Sequence, residues 1–334
     1  MADNAPKKMV ILQAINEAIA EAMEADPKVL VLGEDVADRE GGGVIGVTRG
    51  LSTRFGDDRV RSTPISEQAI IGAAIGASIN GYKPIAEIML MNFTTVAMDM
   101  IVNHAAKLRF MSGGQTNVPI VIRMMTGAGI AAAGQHSDFL EAWFAHSPGL
   151  KVVIPSNPAD AKGLMLSAIA DPDPVLFVET TRAYGNSGEV PADQGPIPLG
   201  KARVEREGSD ITIISYADMF NRARTAADTL TGEGVSVELI DLRTVSPWDR
   251  ETVLASARKT GRVLIVHEAV KQFGVGAEIA AVIQEEAFAA LKAPVARLGA
   301  PYTSVPFSYV LEQAFIVSPE AIVDKARVTL AAGR

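Results

Sequence analysis

No cysteine occurs among the 334 residues, so the chain forms no disulfide, offers no thiolate nucleophile and binds no metal through cysteine. Positive charge is also scarce. Thirty-one basic residues stand against 39 acidic ones, a net charge of -8, which removes the footprint that nucleic acid or an anionic lipid surface requires. Neither nucleic acid nor membrane is an expected partner. Long hydrophobic runs are missing as well: the longest uncharged apolar stretch, Ala69 to Ile79, is too short to cross a bilayer. The start MADNAPKKM lacks the apolar core of a secretory signal, and the expectation is a soluble, uncleaved, cytoplasmic protein.

What is present is a rich supply of core residues, 48% hydrophobic over a length sufficient for two domains. Leu12, Ile15, Ile19 and Met23 recur at helical spacing within 9–25, and Asp26-Pro27 stops that helix before the extended run VLVL at 29–32. Further apolar strands are expected at 83–90, 119–125, 151–155 and 175–180, with helices around 94–110, 137–145 and 158–170. Continuous apolar strands alternating with helices imply a mostly parallel sheet covered on both faces, an α/β fold. The Gly-, Pro- and Asn-rich stretch at 184–200 marks a boundary, giving a first domain over 1–185, a linker over 186–199 and a second domain over 200–334. Beyond it the alternation restarts, with strands at 211–216, 236–241, 263–267 and 295–299 and helices running to about Leu230, from Trp248 and from Gly274.

Glu67 stands out because it precedes a run of Ile, Ala and Gly without another charge, TPISEQAIIGAAIGASINGY at 63–82. Ser66 is placed to cap the helix, and Gly72, Ala73, Ala74, Gly76 and Ala77 allow close packing on both sides. Burial opposes ionisation there while a helix N-terminus favours it, so Glu67 is a candidate proton carrier. A first-turn cap or an arginine partner for Glu67 explains the same pattern. His136 follows the Gly- and Ala-rich TGAGIAAAGQ after a predicted strand, at the sheet edge where open α/β folds hold ligands, and an imidazole suits proton transfer near neutral pH. A structural histidine fits that position equally. His104 is assigned to packing or surface and His146 to a turn. His267, with Glu268, either binds a partner or satisfies backbone groups at a strand end.

Other chemistries fail on spacing. Gly41, Gly43 and Gly46 satisfy G-x-G-x-x-G, yet a charged loop separates them from the preceding strand, where a dinucleotide site needs a tight strand-to-helix turn. A flexible loop ordered by a partner accounts for them better. HEAVK does not complete H-E-x-x-H, no G-x-S-x-G occurs, and the acids at 34–40 lack calcium-loop spacing.

LGEDVA (32–37), TPISE (63–67), MNF (91–93), AAKLRFMSGG (105–114), GQHSDFLEAWFAHSPGLKVVIPS (134–156), ADAKGL (159–164), IDLRT (240–244) and FGVGAEI (273–279) together identify a family. The chain resembles the beta subunit of the thiamine-diphosphate-dependent decarboxylating component of 2-oxo acid dehydrogenase complexes, collinearly over nearly its whole length. The resemblance implies a pyrimidine-binding domain followed by a transketolase C-terminal-like domain. It implies that Glu67 shares a proton with a ring nitrogen of the cofactor's aminopyrimidine, that Phe93 stacks on that ring and that Ile65 lines the wall beside it. His136 would then serve the substrate carboxylate or acyl transfer to a lipoyl group. A potassium site built mostly from backbone carbonyls would map to Ile120, Ala168, Ile169, Asp171 and Asp173, although Asp173 departs from the Asn of some relatives.

The family's diphosphate-and-magnesium motif, G-D-G followed by a distant Asn, is missing, and in two-chain members it belongs to the alpha subunit. The resemblance therefore implies an alpha2-beta2 heterotetramer with cofactor and Mg2+ held across subunits, a second beta subunit and a lipoyl acyltransferase as partners. The expected activity is decarboxylation of a 2-oxo acid of the pyruvate dehydrogenase type. GGGVIGVTRGL (41–51) and APYTSVPFS (300–308) look more like the acetoin-cleaving members. A non-catalytic assembly subunit and a nicotinamide oxidoreductase are the rival classes.

Overall fold

The computed structural model describes residues 5–332, which divide into two compact units: one comprises the chain up to Thr126 plus Trp143–Leu199, the other Gly127–Ala142 plus the chain from Gly200 onward.

In the first unit the apolar runs become strands β1 (Lys7–Val10), β2 (Val29–Gly33), β3 (Val60–Ser62), β4 (Lys83–Leu90), β5 (Val121–Thr126), β6 (Lys151–Val153), β7 (Val175–Thr180) and β8 (Ser187–Val190). Six of them form parallel pairs in the order β6-β7-β5-β4-β2-β3. Val31, Ile85, Val121 and Val175 fall in register across this sheet, as uniformly apolar strands buried on both faces require. Helix Ile11–Ala25 packs against helix Pro158–Ala170 through Ala14, Ile15, Ala18 and Ile19 on one side and Ala161, Leu164 and Ala168 on the other. Each fully buried isoleucine there contributes about 1.5–3 kcal/mol. Asn157 caps the second helix by accepting the Asp160 N–H, with Pro158 at the first turn.

Three expectations change at this point. The helix expected over 94–110 is broken into a 3₁₀ turn (Met91–Thr95), a π-helical turn (Met100–Ala105) and one α-turn (Leu108–Met111), consistent with the stiff Thr94-Thr95-Val96 run. Likewise 137–145 yields two short helices, Gly134–Ser137 and Glu141–Ala145. The 186–199 stretch does not hang free: β8 pairs antiparallel with β1, Lys7 opposite Val190, and the stretch belongs to the first unit.

In the second unit β9 (Arg203–Arg206), β10 (Ile211–Ser215), β11 (Val237–Asp241), the short β12 (Thr244–Ser246), β13 (Val263–Val270) and β14 (Ala296–Ala300) follow one another. Five form a sheet ordered β14-β13-β10-β11-β9, parallel except where β9 runs antiparallel to β11. Ile211, Ile213, Leu239, Leu264 and Val266 bury one face against Phe220 and Leu230 of helix Ala217–Gly232 and Ile322 and Ala326 of helix Pro319–Ala331. Both units are thus mostly parallel α/β folds.

Candidate functional site

In the first unit three adjacent parallel strands end at one edge, and each is followed by a residue of interest. Glu34 follows β2, Glu67 follows β3, and Phe93 follows β4. That carboxyl edge is where open α/β sheets present ligand-binding groups, because strand ends and helix starts leave unpaired polar groups there.

Glu67 opens helix Glu67–Ile79 and is 9% exposed. No hydrogen bond or ion pair to its carboxyl occurs among the described residues, and no arginine takes it. Ser66, expected to cap this helix, makes no side-chain capping bond. Within the chain the helix buries one of the two sides that its small residues allow to pack: Ile70, Ile71, Ala74 and Ile75 point inward, whereas Ala69, Ala73 and Gly76 are exposed. Beside Glu67 lies Glu34, also buried, whose Oε1 has no hydrogen-bond partner among the described residues. Burial, followed by the neighbouring charges of Glu67, Asp35 and Glu87, raises the Glu34 pKa and favours its protonated form. Phe93 sits half-buried in the 3₁₀ turn, packed against the core, and Ile65 is 83% exposed.

A second set of acids in this unit is fully compensated. Arg123 on β5 lies opposite Glu87 on β4, donates to it, and donates through Nη2 to Glu179 Oε2 at 3.1 Å; the Tyr184 hydroxyl adds a bond to the same oxygen at 2.6 Å. Burial raises the pKa of both glutamates, while Arg123 opposes the shift. The glycine triplet rests on this network. Gly42 and Gly43 are buried at φ +77° and +81°, and a Cβ on Gly43 would stand 2.8 Å from Glu87 Oε1. Gly42 and Gly43 are therefore packed by their own unit, while Val44 and Ile45 at the tip of the loop expected to order on a partner are exposed.

The proposed cation ligands divide. Lys151 Nζ holds both Asp171 oxygens at 2.6 and 2.7 Å, and Arg109 holds Asp173 Oδ1 at 2.6 Å. These side-chain carboxylates are paired with cations, which leaves the backbone carbonyls as the groups available to a potassium ion. Ile120 O accepts the Val175 N–H and Ala168 O accepts the Asp171 N–H, while Ile169 is buried. Among the described residues no group of three His, Cys, Asp or Glu could hold a metal ion, and no helix is long and apolar enough to cross a membrane.

His136 belongs to the second unit. It is half-buried in the short helix Gly134–Ser137, and its N–H donates to Ala133 O at 3.2 Å. Nearby in sequence, Glu141 is fully buried and receives the Tyr216 hydroxyl at 2.7 Å. Burial lifts its pKa to about 7, against the pull of that bond and with help from the Glu268 charge. His267 resolves toward structure: its Nδ1 meets Ala269 O at 3.0 Å, Gly274, Gly276 and Gly299 press on the ring, and burial lowers its pKa to about 4. His104 pairs with Asp99 at 3.4 Å on the surface, and His146 is exposed in a turn.

Sequence reasoning missed Glu34, Glu87, Arg123, Glu179 and Glu141 as site-forming groups. The signal existed for three of them: one charge apiece inside IAEIML, VIRMM and LFVET, strands otherwise apolar.

Residues 7–186 match the Transketolase, pyrimidine binding domain family, and residues 200–322 match the Transketolase, C-terminal domain family. The chain is 47% identical to the acetoin:2,6-dichlorophenolindophenol oxidoreductase subunit beta of Cupriavidus necator, over 98% of this chain and 99% of that protein. It is 44% identical to the pyruvate dehydrogenase E1 component subunit beta of Bacillus subtilis, over 97% and 99%. A solved split-gene transketolase, an inactive beta4 tetramer, shares the fold with a TM-score of 0.80 at 23% identity, covering 98% of this chain and 99% of that one. With both transketolase domains matched in order and full-length relatives well above 40% identity, the chain belongs to the transketolase-like beta subunits of the thiamine-diphosphate-dependent 2-oxo acid dehydrogenases.

Proposed function

We propose that the chain is the pyrimidine-binding half of a thiamine-diphosphate site in an alpha2-beta2 enzyme that decarboxylates a 2-oxo acid of the pyruvate type and passes the acyl group to a lipoyl domain. The observation that carries this reading is Glu67: a glutamate only 9% exposed at a sheet edge, with no hydrogen-bond donor to its carboxyl among the described residues. Such a group is costly unless something completes it, and a protonatable heterocycle does so without a permanent counter-charge. When bound, the cofactor supplies a nucleophilic carbon and an electron sink.

Glu67 holds a proton against the ring nitrogen, and Phe93 stacks on the ring, with Ile65 as the outward wall. Glu34, whose pKa is raised first by burial and then by neighbouring acids, holds its proton more readily than an ordinary carboxyl at that end. His136 serves the substrate carboxylate or the acyl transfer. The diphosphate and Mg2+ fall to the alpha subunit, because no G-D-G motif occurs here. The exposed small-residue face of helix Glu67–Ile79 suits close approach by a partner chain.

Acetoin cleavage is the second reading, favoured by the 47% identity to the Cupriavidus necator acetoin protein. Co-expression with the alpha subunit and assay against pyruvate, 3-methyl-2-oxobutanoate and acetoin separates these readings. Turnover is expected only from the pair; robust decarboxylation by the lone chain would refute the half-site.

A further inference from the structure

The loop that carries His136 is gripped by buried acids of the second unit. Ala128 N–H donates to Glu268 Oε1 at 2.8 Å, Gly129 N–H to Glu312 Oε1 at 2.7 Å, and Ala131 N–H to both Glu312 oxygens at 3.2 and 3.1 Å. Glu312 is 0% exposed, and among the described residues no cationic side chain pairs with it. Its carboxylate is satisfied by the loop amides alone. In return the carboxylates give these loop amides charged acceptors, stronger than a backbone carbonyl.

The grip forces the loop into costly geometry. Ala131 and Ala133 stand at φ +55° and +59°, where a Cβ is disfavoured, so something outside the local backbone holds them there. Ala128 is buried in a small apolar cluster with Ala300, Val305, Phe315 and Ile316, and Gly134 lies against Ser304, where a Cβ would come within 3.3 Å of the Ser304 side chain. At the far end of the loop Glu141 receives the Tyr216 hydroxyl. His136 lies between two anchored ends.

We propose that Glu312, seconded by Glu268, is a positioning residue for His136, so that the second domain sets the geometry of one catalytic side chain as well as serving as an assembly module. The carboxylate fixes the path of residues 128–131, and that path delivers the imidazole five residues later. This rests on the role given to His136 above.

The test uses the co-expressed alpha–beta enzyme loaded with thiamine diphosphate. Glu312→Gln keeps the side-chain shape but turns an amide donor toward the loop amides, while Glu268→Gln disturbs a single bond and guards against loss of folding. In Glu312→Gln, hydrogen exchange of peptide 126–136 should accelerate about tenfold, while peptides from β2 and helix Glu67–Ile79 stay unchanged. Turnover should fall about tenfold with cofactor affinity within about twofold, and Glu268→Gln should show the same pattern at about threefold. Combining Glu312→Gln with His136→Ala should be no slower than His136→Ala alone, since a residue acting through His136 has nothing left to act on. Unchanged exchange at 126–136, or additive losses in the double variant, overturns the proposal. Normal turnover by His136→Ala overturns the role of His136 itself, and is told apart because exchange in Glu312→Gln still rises.

Discussion

Glu67 in the first unit and Glu312 in the second are both buried glutamates, and both belong to helices, yet among the described residues only Glu312 has hydrogen-bond donors to its carboxyl. The backbone amides around Glu312 replace the water it lost, so it acts as architecture. Glu67 is mostly buried and no donor among the described residues replaces the water that burial removes, which leaves its carboxyl open to a ligand. Glu87 and Glu179 represent a third case, compensated by the cation of Arg123. Three settings of one side chain teach that burial alone does not mark a functional acid; the missing partner does.

The comparison is broken most violently at Arg123. Arg123→Ala leaves two buried carboxyls without their cation and should cost about 3–5 kcal/mol of unfolding free energy, read from denaturant melts. A loss under about 1 kcal/mol would mean that the network is not the compensated case described. Next comes Glu67→Gln in the paired enzyme: turnover should drop at least about 100-fold while the unfolding midpoint holds, because the substitution removes a proton carrier and no internal bond. Near-normal turnover would instead favour the assembly-subunit reading.

The smallest effect is read through pH. Glu141 has a folded pKa of about 7 against an ordinary 4.5, so its stabilising contribution is whole below about pH 4.5 and is lost as pH rises toward 7. His267, lowered to about 4 from 6.5, works the other way: its contribution is whole above about 6.5 and is lost as pH falls toward 4. Between pH 5 and 7 each is worth roughly 2 kcal/mol and the two nearly cancel. Glu141→Gln uncovers the histidine limb, so the variant should lose about 2 kcal/mol relative to wild type when pH is lowered from 7 to 5. Parallel stability profiles for the two proteins would remove Glu141 from the titrating groups.

Much of this was legible in the chain. VLVL, IAEIML, VIRMM and LFVET foretold buried parallel strands, and the lone acid of TPISE marked Glu67. Local signals failed where tertiary contacts decide. Ser66 has the chemistry of a cap but makes no capping bond, the 94–110 helix breaks into three turns, and the Pro- and Gly-rich tail of the first unit holds a strand because β1, some 180 residues earlier, offers it an edge. The glycine triplet looked like a mobile loop because nothing in GGGVIG reveals the Glu87 side chain packed against it.

Periodicity and composition along the chain are enough for the two α/β units, the absence of cysteine chemistry and the isolation of one acid among aliphatic residues, since both are properties of neighbouring positions. Which acids are satisfied depends on how the chain packs. Ala128 and Glu268 are 140 residues apart, Gly129 and Glu312 183, and no local pattern encodes a donor that arrives from so far along the chain.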